Sequence, residues 1–259
     1  MFWFFHRRES FMKQSRFIKW DISHLDDYVL LPAEEGFVNK RDCFYVSHFW
    51  RTREAPDPQG EDFKLVHQDL ANQQWTYVWV DWTCLPQNAG TQVEREYTNR
   101  MLMRTPVLMR ECAFEWRYPE FQPRLWILLE VSQYMLNSSG NFAKTADMQP
   151  YIDDVHAMKS EGVYQTIKQR GYSCSMSRDY RLLVGWLELL IIMSKIVPEI
   201  PMRKFILDSL EPASVGGLKH MDTGINVDKT NGIVSHDGAV NRFDPLFPLD
   251  EDGFPKGVS

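Results

Sequence analysis

Seven side chains in the middle of this chain could do chemistry: Ser47, His48, Asp81, Cys84, Glu111, Glu115 and Glu130. Taken singly, each has a plain structural reading. An Asp at the end of a strand usually caps the following turn. A His after a strand more often makes a structural hydrogen bond than it catalyses, and a lone Cys is usually a core residue. They become a candidate site only if the fold carries them to one edge. Ser47, His48 and Asp81 have the residue types of a hydrolase triad. Adjacent residues of one strand point to opposite faces, however, so Ser47 and His48 would not share a proton. The G-x-S-x-G elbow of such enzymes is also missing.

The elements that must position these residues follow from periodicity. Residues 43–47 (CFYVS) are a short run of strand formers. Residues 51–60 (RTREAPDPQG) form a loop. A helix is predicted from Glu61 to Gln74, with Phe63, Val66 and Leu70 on one face. Residues 76–82 (TYVWVDW) read as a strand buried on both sides. A second helix is predicted from Thr91 to about Arg104, broken by Thr105-Pro106, with a third strand over Val107–Met109. After an aromatic loop over 115–123, residues 124–136 return to helical spacing, with Leu125, Leu128, Leu129 and Val131 as the apolar set. This alternation predicts a parallel sheet with right-handed crossovers. Ligands of such sheets sit beyond the carboxyl ends of the strands. That rule selects residues 47–50, 81–87 and 110–116.

The flanks carry weaker signals. Residues 1–40 read as an N-terminal lead-in, 41–210 as the α/β domain with a helical extension, and 211–259 as an irregular, partly disordered tail. Residues 137–150 read as a linker-like loop and 151–170 as helix. Residues 182–197 form the most apolar run. Glu188 and Lys195 interrupt it and Pro198 ends it, short of a membrane span, so it reads as a buried helix.

Bulk composition excludes several classes. Of 259 residues, 44% are hydrophobic and 25% charged, enough for a sizeable core. A net charge of −6 argues against a nucleic-acid groove, although the segment from His6 to Lys19 is basic. Cys43, Cys84, Cys112 and Cys174 form no C-x-x-C pair, so neither a metal site nor a disulfide framework is indicated. Buried thiols in a reducing, cytoplasmic setting are the simplest reading. The opening MFWFF is too short for a secretory signal. No membrane association is expected.

The stretches YVSHFW and YVWVDWTCLPQ, followed by an acidic helix, resemble the heterokaryon-incompatibility (HET) pattern, with Trp79, Asp81, Cys84 and Gln87 at its W-x-D-x-x-C-x-x-Q positions. Further on, Arg124-Leu-Trp-Ile-Leu-Leu-Glu130 resembles the TIR motif, in which a helix carries a Glu four residues after a Trp. Trp126 and Glu130 match that spacing, and Ile127 stands where TIR domains usually have Cys. The resemblance spans residues 43–136. It implies a flavodoxin-like, TIR-like parallel sheet with flanking helices, and a carboxylate for nicotinamide–ribose cleavage.

On that reading Glu130, Asp81 and His48 form the catalytic set. Ser47, Trp50, Trp82, Cys84, Gln87, Trp116 and Trp126 line the substrate. NAD is the leading substrate, with neither cofactor nor metal required. A carboxylate in a water-poor pocket would stabilise the oxocarbenium-like carbon. The plain alternative for Glu130 is a surface pairing with Arg124 or Arg117. Two other functions stay open. One is a non-catalytic, self-associating interaction domain in cell-death or incompatibility signalling. The other is a biosynthetic enzyme using the same edge on another small molecule.

Overall fold

The computed structural model describes the chain except residues 35, 53, 88–89, 117, 119, 139–147, 175–176, 211–216 and 247–259, and the side chains of 103, 177 and 178. The chain divides into two compact units, Met1–Glu120 and Phe121–Ser259. No helix among the described residues is long and apolar enough to cross a membrane.

The first unit is built on a five-stranded mixed sheet. Its strands are β1 (Phe2–Arg7), β2 (Tyr28–Pro32), β3 (Cys43–Ser47), β4 (Tyr77–Trp79) and β5 (Ala113–Trp116), in the order β2-β1-β4-β3-β5. β3 lies between β4 and β5 and is parallel to both. β1 runs antiparallel to β4 and to β2. The expected wholly parallel sheet is therefore a parallel trio extended by an antiparallel pair. Residues 1–40 are not a lead-in: FWFFHR is β1, paired on both sides. Its alternation puts Trp3 and Phe5 into the core, which a five-residue apolar start concealed.

The helices of this unit are α1 (Arg8–Phe11), α2 (Glu61–Ala71), α3 (Asp81–Cys84) and α4 (Gln92–Glu111). α2 covers one sheet face. Its Phe63, Val66 and Leu70 pack with Phe44 and Val46 of β3, Val78 of β4, and Val80. The opposite face carries a row of rings. Trp3 meets Trp79 edge-on at 6.5 Å, and Tyr45 stacks on Trp79 at 5.1 Å and on Phe114 at 5.2 Å.

The third strand lies later than expected. Residues 107–109 continue α4, and β5 begins at Ala113. Pro106 lies inside the helix, where a proline usually costs about 3 kcal/mol. Met101, Thr105, Leu108 and Met109 are all buried around it, and that apolar burial outweighs the lost hydrogen bond. β4 is shorter than expected because Val80 caps α3 and residues 81–84 turn into it.

The second unit is helical with a small sheet. It contains α5 (Leu125–Asn137), α6 (Gln149–Glu161), α7 (Val163–Arg170), α8 (Ser177–Ile196) and α9 (Ile200–Ser209). The expected apolar helix is α8, with Leu183, Leu187, Leu190 and Met193 fully buried. Its Glu188 accepts a hydrogen bond from the Asp244 backbone N–H at 2.6 Å.

The tail expected to be irregular instead forms an antiparallel meander of β6 (Gly217–His220), β7 (Ile225–Asp228), β8 (Ile233–His236) and β9 (Ala239–Arg242). Its last hairpin turns on Asp237 (φ 49°) and Gly238 (φ 78°), the paired left-handed residues that a two-residue turn requires. Most of the linker expected at 137–150, and the last thirteen residues of the tail, lie outside the described residues.

Candidate functional site

The parallel trio sets where a site should form. The chain passes from β3 to β4 on one side, then crosses back past β3 to β5 on the other. That reversal opens a crevice at the carboxyl end of β3. Ser47 ends β3, so His48 and Trp50 emerge there. Asp81, Trp82, Cys84 and Gln87 emerge after β4, on α3 and the turn beyond it.

Asp81 is the centre of the cluster. Its Oδ1 accepts from His48 Nε2 at 2.7 Å and from the Trp82 backbone N–H at 2.5 Å. Its Oδ2 accepts from the Trp50 indole N–H at 2.8 Å. Gln87 fixes the backbone beneath, donating to the carbonyls of Asp81 at 2.8 Å and Leu85 at 3.1 Å. Burial alone would push the Asp81 carboxyl up. The adjacent His48 ring and the three donors outweigh it and hold the group below the usual carboxylate range. Its side chain is still 32% exposed.

His48 is placed to hold this carboxylate. Its Nδ1 faces the Phe49 carbonyl at 3.1 Å while Nε2 faces Asp81. Both partners are acceptors, so a doubly protonated ring satisfies both contacts. In that form the ring has no lone pair to offer as a base. A second pair lies alongside: buried Asp62 takes Arg51 in a fork, Nη2 to Oδ1 at 2.8 Å and Nε to Oδ2 at 3.2 Å.

The other expected residues divide. Ser47 is buried and points away from His48, sharing a hydrogen bond with the Tyr118 hydroxyl at 2.5 Å. Cys84 is fully buried, and burial pushes its thiol up to about 11, so it is a packing residue and not a nucleophile. Trp82 is buried and meets Trp50 edge-on at 5.3 Å. Trp116, the last residue of β5, packs against Phe114 at 4.7 Å in the core. Of the acidic residues after α4, Glu111 ends that helix and Glu115 is buried within β5.

Trp126 and Glu130 lie on α5 of the second unit. The Trp126 indole donates to Asp179 Oδ2 at 3.3 Å. Glu130 is half-buried, and its charge, with burial as the larger cause, helps to push the Tyr151 phenol up. Arg117, one of the expected surface partners of Glu130, lies outside the described residues.

Four residues that the sequence does not assign to the site complete the strand-end cluster. Phe17 lies against the His48 ring at 5.0 Å and 31°. The Trp20 backbone N–H donates to the Trp82 carbonyl at 3.0 Å, and Lys19 Nζ sits 5.6 Å from the Trp82 ring centre. Tyr28 of β2 donates its hydroxyl to the Thr83 carbonyl at 2.7 Å. The signal available for the first three was an aromatic–basic alternation, Phe17-Ile-Lys-Trp20, within the supposed lead-in.

Chemically, the cluster offers one ionised, partly open carboxylate, fixed by a histidine and two tryptophans. It can accept hydroxyl hydrogens from a sugar or stabilise a positive charge. Among its described side chains none is an activated nucleophile. No group of three or more His, Cys, Asp or Glu suited to a metal is found among the described residues. No known family model, no characterised protein and no solved structure matches the chain.

Proposed function

We propose that this chain is a TIR/HET-like enzyme that cleaves or transfers at the N-glycosidic bond of a nucleotide, with NAD as the leading substrate. One observation carries the reading: Asp81 is kept ionised yet partly open, at the carboxyl end of parallel strands and beside the Trp50 ring. A glycosidic carbon that loses nicotinamide gains positive charge, and a preorganised anion lowers the energy of that state. The order second–first–third of the parallel strands is also that of a flavodoxin-like sheet, in keeping with the resemblance over 43–136.

In this reading Asp81 is the electrostatic partner of the sugar, His48 keeps Asp81 charged, and Trp50 offers a flat wall to a base. The TIR resemblance assigns the ribose hydroxyls to Glu130, a residue of the second unit, and that assignment is tested separately from the Asp81 cluster. The proposal includes a cytoplasmic setting, where NAD is abundant and free thiols persist.

The test is incubation of purified protein with NAD, with nicotinamide release followed by chromatography. Release that is lost in Asp81→Asn supports the proposal. Intact NAD after prolonged incubation at high enzyme concentration removes it, and the self-associating interaction domain then becomes the better reading.

A further inference from the structure

The segment before the first long turn is attached to the candidate site at two points, and the residues between them are forced outward. Phe17 is buried, with its ring against His48 at 5.0 Å and edge-on to Phe63 of α2 at 5.2 Å. Trp20 is tied by its backbone N–H to the Trp82 carbonyl at 3.0 Å. Between these anchors, Ile18 and Lys19 are exposed. Lys19 Nζ rests 5.6 Å from the Trp82 ring centre, Trp82 meets Trp50 at 5.3 Å, and Trp50 holds Asp81 at 2.8 Å.

An ammonium therefore stands two indole rings from the carboxylate. Among the described residues Lys19 has no carboxylate within ion-pair distance, in contrast to Arg51, which Asp62 engages. A cation left unneutralised beside an aromatic wall is available to a ligand.

We propose that residues 17–20 form a third wall of the site and that Lys19 selects ligands bearing phosphate. The inference rests on the reading above and deepens it by assigning recognition of the nucleotide's phosphate to Lys19, so that nucleotides and dinucleotides bind more tightly than free nucleosides. The spacing follows the ligand's own chemistry. A nucleotide carries its anionic phosphate a few bonds from the glycosidic carbon, so a site needs an anion for the sugar and a cation nearby for the phosphate. The local charge matters because the chain as a whole is −6 and would otherwise repel such a ligand. Phe17 anchors this wall, its ring tilted 31° against the imidazole that holds Asp81.

The experiment compares NAD with nicotinamide riboside, which has the same glycosidic bond and no phosphate. Binding is read from quenching of tryptophan fluorescence and turnover from nicotinamide release. Lys19→Ala is expected to weaken NAD binding about two- to fivefold, the scale of one exposed charge contact. The change should appear mainly in KM for NAD rather than in kcat, and nicotinamide riboside binding should fall much less than NAD binding. The loss should shrink as salt is added. Lys19→Arg should restore most of the affinity, and Lys13→Ala serves as a control for net charge.

A wild-type protein that binds both ligands equally well overturns the role of Lys19 while leaving the glycosidic reading intact. So does a Lys19→Ala protein that binds NAD like wild type, or that loses both ligands alike. A wild-type protein that neither binds nor cleaves either ligand overturns both readings.

Discussion

The imidazole of His48 and the carboxylate of Asp81 meet at 2.7 Å, one following β3 and the other following its parallel neighbour β4. The contact joins the ends of two neighbouring parallel strands. It also gives stability a pH dependence. The folded-state Asp81 carboxyl lies below its ordinary value, near which the unfolded chain titrates, at about 3.9. A depressed carboxylate contributes stability above the unfolded value and loses it as pH falls through the folded one. Thermal melts taken from neutral pH down to about pH 2 should show a steep acid decline. Asp81→Asn should start lower at neutral pH and decline less over the acid window. Parallel curves for the two proteins would mean that His48 does not hold Asp81 charged.

The thiols should react in a fixed order. Cys43 and Cys84 are buried with thiols pushed up to about 11, and Cys112 is raised further by burial and its neighbour Cys43. Cys174 is only half-buried. A thiol reagent at neutral pH should label Cys174 first and reach the other three only with denaturant. Mass spectrometry of partly labelled protein decides this. Early modification of Cys84 would contradict the packed turn beneath Asp81.

The parts of this fold legible in the sequence are those whose burial is uniform. β3 coincides with the run Cys43–Ser47 because all five residues are buried, and α2 follows its apolar face. The strand ends, and with them His48, Trp50, Asp81 and Gln87, could therefore be assigned to one edge. What misled was punctuation overridden by packing. Pro106 reads as a stop, but the helix runs through it because the surrounding turns are buried. Glu115 and Trp116 fall in the run 115–123 that reads as a loop because it holds two prolines, yet register against Val46 and Ser47 makes them the end of β5. The strands β6 to β9 are four residues each, too short for a periodic signal, and the sequence marks them chiefly by the turn pairs Asn231-Gly232 and Asp237-Gly238. Phe17 and Lys19 could not be placed at the site, since nothing local in sequence says that a segment thirty residues upstream folds over His48.

Arg203 should be the costliest single loss in the second unit. It is buried on α9, donating Nε to Asn137 Oδ1 at 3.1 Å and Nη2 to the Leu136 carbonyl at the end of α5. Its Nη1 serves the Val197 and Pro198 carbonyls just after α8, at 2.5 Å and 3.3 Å. One guanidinium thus satisfies carbonyls at two helix ends that would otherwise be left without partners. Arg203→Met keeps the stem and removes the donors. It should cost about 3 kcal/mol or more in urea unfolding, since buried acceptors lose their partners. Arg203→Lys should recover only part, having no fork to divide between two ends. A Met variant as stable as wild type would show that water replaces the guanidinium.

Asp81 and Glu130, one in each unit, can be tested separately by pairing activity with melting temperature. Asp81 accepts three protein hydrogen bonds, so Asp81→Asn perturbs structure as well as charge. The amide presents a donor where His48 also donates, and both activity and melting temperature should fall. Glu130 sits half-buried on a regular helix, where an exposed or partly exposed charge rarely contributes more than about 1 kcal/mol. Glu130→Gln should therefore melt close to wild type. If Glu130 engages the ribose, the variant loses a charge that acts mainly in the transition state. Nicotinamide release should then drop on the order of 100-fold in kcat, with KM little changed. Loss in Asp81→Asn alone, with Glu130→Gln fully active and stable, would assign the electrostatic work to Asp81 and end the TIR-type role of Glu130. Full activity in both variants would remove carboxylate stabilisation from the mechanism altogether.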